Sequence, residues 1–133
     1  MKKTANRREL AKVFCRYMRL GLDREGADVF DVHKRIEGVS RSREEAYRLL
    51  AMYDTCRVLR LLGKGEVINT LRDIYLPRGS RVSSPRFLPS EINMRVIAYA
   101  VAHHWDERTV WRRLAYAAEL YSRILSSYKP RKE

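Results

Sequence analysis

Glycine and proline are scarce in this chain, 6 and 4 residues in 133. So little punctuation suits long helices joined by few connections. Cysteine is scarcer still. Cys15 and Cys56 both fall on apolar helical faces, which reads as reduced core residues, not a disulfide framework or a metal motif. No apolar run reaches the ~18–20 residues of a membrane span, and no apolar signal segment follows the basic N-terminus. These absences predict a protein of the reducing cytoplasm with no membrane partner.

Catalytic signatures are missing too. There is no GxSxG, P-loop or GxGxxG pattern, and no Cys/His pair in a nucleophile context. His103, His104, Asp106 and Glu107 invite a metal reading. Adjacent histidines, however, point to different sides of a helix, and no His pair at i, i+4 supports them. His33 stands alone. The acids fall mostly at helical spacings from basic residues, as Glu44 does from Arg48. The sequence therefore predicts no catalytic residues, no metal and no cofactor: not an enzyme.

What the chain has in excess is positive charge, +12 at neutral pH. Such charge draws polyanions and makes their binding salt-dependent. Its distribution is uneven. Residues 1–20 hold seven basic groups against one acid, residues 21–76 ten of each, and residues 77–133 eleven against five. Two basic regions flank a neutral middle and can touch one polyanion together.

Apolar periodicity predicts an all-α protein of about six helices, an orthogonal helical bundle. The first helix, 5–20, has Leu10, Val13, Phe14 and Tyr17 inward and Arg8, Lys12, Arg16 and Arg19 along another face, with Gly21 as its stop. A short helix over 28–37, carrying Val29, Phe30, Val32 and Ile36, breaks at Gly38. A third, 43–62, opens on a Ser42–Glu45 capping box. Its broad apolar face of Ala46, Leu49, Leu50, Met52, Tyr53, Cys56, Leu59, Leu61 and Leu62 marks the centre of the domain. A fourth, 66–76, buries Val67, Ile68, Leu71, Ile74 and Tyr75 and ends at Pro77.

Residues 77–90 read as a linker or exposed loop whose Arg78, Arg81 and Arg86 can follow a phosphate backbone. The fifth helix, 91–104, sets Ile92, Val96, Ile97, Ala100 and Val101 on one side. Asp106 caps the sixth, 107–127, with Val110, Leu114, Ala117, Ala118, Tyr121, Ile124, Leu125 and Tyr128 inward. The predicted organisation is a bundle over 1–76, the linker, and a helix-turn-helix over 91–133 packed on the bundle.

That motif needs a supporting helix, a tight connection and a second helix whose first turn is exposed to base edges. Glu107, Arg108, Thr109, Arg112 and Arg113 supply polar groups around the first two turns. Arg108 and Arg112 suit bidentate contacts to guanine; Thr109 and Arg113 suit phosphates. Trp105 and Trp111 flank the turn, where they pin the sixth helix to the fourth and fifth, or Trp111 contacts thymine methyls or a protein partner.

The run Arg108, Thr109, Val110, Trp111, Arg112, Leu114 and Ala117 resembles the recognition helix of bacterial sigma factors. It is still more similar to the ArpU/RinA-type phage regulators, sigma-like activators of late phage genes. Val67-Ile68 through Ile74-Tyr75-Leu76 is similar to that family's helix ending in an Ile-Tyr pair. The chain departs from the pattern at the turn. His103, His104 and Trp105 stand where a Gly and a buried aliphatic are usual, and Tyr99-Ala100 where an Ile-Ala pair is usual.

The resemblance implies a DNA-binding transcriptional regulator of phage origin, with double-stranded DNA as partner and RNA polymerase as a further one. A homodimer follows from the few base pairs that one such module covers. Two alternatives stand beside it: the small DNA-recognition subunit of a packaging complex, and a basic protein-interaction module.

Overall fold

The computed structural model describes residues 2–24, 26–76 and 89–128. Six helices follow one another: α1 (Lys2–Arg19), α2 (Val29–Val39), α3 (Arg43–Leu61), α4 (Gly65–Tyr75), α5 (Pro89–His103) and α6 (Glu107–Tyr128). No strand occurs among the described residues, so the fold class is all-α. Arg78, Arg81 and Arg86, with most of the predicted linker, lie outside the described residues.

Local chemistry accounts for the boundaries. The Asp28 carboxylate accepts from the Phe30 N–H at the start of α2, and the Ser42 hydroxyl accepts from the Glu45 N–H at the start of α3. Such side-chain oxygens satisfy donors that the first turn leaves open. The expected capping box forms only in this one direction. Glu45 turns instead to the Arg41 N–H and to Arg16. Gly21 and Gly63 end α1 and α3 with φ of 67° and 72°. At each, the next residue's N–H reaches back to a carbonyl five residues earlier, Leu22 to Tyr17 and Lys64 to Leu59. This is the Schellman arrangement, which requires a left-handed residue. Gly38 does not break α2, which runs through it and stops at Ser40.

One apolar cluster joins all six helices. α3 packs against α1, α2, α4 and α6, and α6 against α1, α3, α4 and α5. The expected central helix therefore shares that place with α6. Leu10, Phe14, Ile36, Leu49, Met52, Leu59, Leu71, Ile74, Val110 and Leu114 are fully enclosed. Cys15 and Cys56 are buried free thiols, and burial pushes them up to about 11 and about 12, which makes them poor nucleophiles.

Several apolar residues assigned to the core face outward. Phe30, Leu61, Leu62 and Val101 are exposed. In each case the helix has more apolar positions than one buried stripe can use, so the pattern does not say which are spent inside.

Charge also fastens the fold. Asp23, in the loop after α1, has a buried side chain that receives Arg60 from α3 at 2.9 Å and Arg72 from α4 at 3.3 Å. This clamp ties a loop to two helix ends. On the surface, Arg48 of α3 meets Glu9 of α1 and Glu44, and Arg16 meets Glu45. The basic stripe of α1 is thus not uniformly solvated: Arg8, Lys12 and Arg19 are exposed, whereas Arg16 is half-buried and paired.

Candidate nucleic-acid interface

The corner between α5 and α6 is built from residues 104–106 alone. His104 takes the left-handed conformation, φ 57°, at the position where a glycine is usual. Its N–H bonds to the Val101 carbonyl, and the Trp105 N–H bonds to the Ala100 carbonyl at 2.9 Å. This is a third Schellman cap, formed with His in place of Gly. Two residues on, Asp106 caps α6: its carboxylate accepts from the Arg108 N–H at 3.0 Å, and its carbonyl from the Thr109 N–H. A complete C-cap and a complete N-cap thus share three residues, so the corner is tight and its backbone is satisfied.

Aromatic packing holds it from within. Tyr99 and His103, one turn apart on α5, stack with ring centres 3.9 Å apart. Trp105 leans on both. The Tyr99 hydroxyl hydrogen-bonds with Thr70 of α4 at 3.0 Å, and His103 Nδ1 lies 2.9 Å from the Tyr99 carbonyl. His103 is therefore part of the packing. Among the described residues, no group of three His, Cys, Asp or Glu converges as a metal site.

The side chains of α6 sort cleanly around its axis. Val110, Leu114, Ala117, Ala118, Tyr121 and Leu125 are buried, an arc repeated every three or four residues. Glu107, Arg108 and Arg112 are exposed; Arg108 and Arg112, four apart, stand one above the other opposite that arc. Arg113 lies on one flank, half-buried, its guanidinium 4.1 Å above the Trp105 ring. One of its terminal nitrogens is buried without a hydrogen-bond partner. Thr109 is half-buried beside it. Thr109 and Arg113, expected to hold phosphates, are thus drawn into the corner. Arg108 and Arg112 remain on the open face, and Glu107 is exposed at the start of the helix, above the buried stripe.

Trp111 occupies the opposite flank. On that side it meets α1: the Arg7 guanidinium lies 4.8 Å over its ring. This contact sets the basic N-terminal helix beside the second turn of α6, and the two positive regions of the sequence meet there. Sequence reasoning had no means to pair Arg7 with Trp111; the separate charge excess of residues 1–20 was the available signal. Nearby, Arg8, Lys12 and Arg48 line a shallow cavity of about 360 Å³ together with Glu9 and Val13.

No family model, curated protein or solved structure matches the chain. Among the described residues no helix is long and apolar enough to cross a membrane.

Proposed function

We propose that the chain is a double-stranded-DNA-binding transcriptional regulator that presents the first two turns of α6 to the major groove. One observation carries this reading. The α5–α6 corner is short and doubly capped, and Arg108 and Arg112 project from it on the face turned away from the core. A recognition helix needs both properties, a rigid seat and an unobstructed first turn. Arginine can present two donors to guanine O6 and N7, and exposed Glu107 can accept from a cytosine amino group. Arg8 and Lys12 on α1, held near α6 through Arg7 and Trp111, supply phosphate contacts. The resemblance of residues 108–117 to sigma-like phage regulators points the same way.

Selection of binding sites from random duplexes tests the reading, followed by anisotropy titrations of Arg108→Ala and Arg112→Ala on the selected site. Each should lose ~1–3 kcal/mol of discrimination at one base pair, while Lys12→Ala should weaken all sequences alike and flatten the salt dependence. A selection that enriches no sequence, or one whose preference survives both arginine changes, overturns it.

A further inference from the structure

A recognition helix fills its groove. An α-helix with side chains is ~10–12 Å across and the major groove is ~12 Å wide, so each flank of the helix faces one phosphate strand. Going round α6 at ~100° per residue, the order is Trp111, Arg108, Arg112, Tyr116. The exposed arginines therefore have two flanks, each marked by an aromatic ring. α1 stands on the Trp111 flank through Arg7. On the Tyr116 flank stands the turn between α3 and α4, with the Lys64 ammonium 4.3 Å from the centre of the Tyr116 ring. Further along α6 the basic stripe closes, because Glu119 pairs with Arg123 at 2.9 Å.

Lys64 is an unfavourable choice for the fold. It is the N-cap of α4, and its side chain makes no capping hydrogen bond. Ser, Thr, Asp or Asn would satisfy an open N–H there, and a cation is repelled by the positive end of the helix dipole. The backbone is fixed all the same. The Lys64 N–H donates to the Leu59 carbonyl at 2.7 Å, and the Lys64 carbonyl accepts from the Val67 N–H at 3.0 Å. The Tyr116 ring orients the ammonium, and the residue stays exposed. Glu66, the acid of the first turn, lies toward α5, where it lines a cavity with Asn69, Asp73 and Tyr99. A residue that breaks the capping rule and keeps its charge in water is expected where a contact, not the fold, sets the choice.

We propose that Lys64, steadied by Tyr116, contacts DNA phosphates on the strand across the groove from α1. The inference rests on the DNA-binding reading above and adds the second edge of the contact. With Arg8 and Lys12 on one strand and Lys64 on the other, the phosphates fix the register of α6 while Arg108 and Arg112 read the bases.

Lys64→Ser tests this because its two consequences have opposite signs. A serine at the cap should raise the urea midpoint. Loss of one phosphate contact should weaken binding to every sequence about five- to tenfold at ~0.1 M salt and flatten the salt slope by about one. Lys64→Arg should bind as the wild type does. Phosphate ethylation on the selected site locates the contact. Interference at one phosphate should vanish for Lys64→Ser, and that phosphate should lie on the strand opposite those lost for Lys12→Ala. A Lys64→Ser chain with wild-type affinity and salt slope overturns the proposal, and so does a lost phosphate on the strand that Lys12 contacts. In either case Arg108→Ala, still losing base discrimination in the same assay, shows that the DNA reading stands. A wild-type chain that selects no sequence overturns that reading and this proposal together.

Discussion

α5 and α6 adjoin at one corner, yet they solve the problem of having two sides in opposite ways. α6 buries a narrow stripe and gives its other side to Arg108, Arg112, Glu119 and Arg123. α5 places apolar residues on both sides and keeps its arginine bonded to the body. The difference teaches which kind of partner each face admits. A charged outer face gains from a polyanion and costs little in water, while an apolar outer face gains only from being covered. Two neighbouring helices thus expose surfaces of unlike chemistry.

The contrast is sharpest in stability, where the largest effect is expected. Leu114 is fully enclosed between α6 and its neighbours, whereas Val101 on α5 is mostly in water. Leu114→Ala should cost ~2–5 kcal/mol, the range for a buried leucine replaced by alanine. Val101→Ala should stay within ~0.5 kcal/mol, as surface changes do. Urea unfolding at low protein concentration measures both in the monomer. Similar losses at the two positions would dissolve the distinction between a spent face and a free one.

The inner side of α6 should also fail in alkali. Burial, then the hydrogen bond to Asp54, pushes Tyr128 up to about 12. Burial pushes Tyr75 of α4 up to about 12 and raises Tyr121 further. A phenol whose folded value lies above its unfolded value of ~10 stabilises the fold below ~pH 10, and that contribution is lost as pH rises through the folded value. Thermal midpoints should hold to about pH 9 and then fall, in step with a delayed rise of tyrosinate absorbance. Phenols that ionise near pH 10 in the folded chain would show that this side of α6 is open to water.

Much of this was legible in the sequence, and the reasons differ by element. α6 alternates apolar and charged residues at 3.6-residue spacing, so its buried set from Val110 to Leu125 could be read directly. α4 was equally clear. α5 is not, because its second half, Val96 to Ala102, carries apolar residues all round and gives no preferred orientation: the pattern puts Val101 inside, whereas Tyr99 takes that role. Leu61, Leu62 and Phe30 failed for the same reason. The site was legible as far as composition reaches: exposed Arg108 and Arg112 follow from spacing alone. Partners that depend on tertiary approach were not, among them Arg113 over Trp105, Arg7 over Trp111, and the clamp on Asp23. No local pattern encodes a ring and a guanidinium brought together across two helices.

The smallest expected effect lies at the joint between the two helices. His104 adopts φ 57°, a region that side chains with a Cβ enter at a cost and glycine enters freely. Glycine also loses more freedom on folding, so the two terms partly offset each other. His104→Gly should therefore stabilise the chain modestly, by ~0.5–1 kcal/mol, read as a higher urea midpoint at unchanged slope. Because the imidazole is exposed and the caps are formed by backbone groups, DNA affinity should not change. A chain that becomes more stable and binds equally well would show that His104 serves only as the joint. A chain that becomes more stable but binds less well would transfer the imidazole to the interface, making the corner itself part of what meets the phosphates.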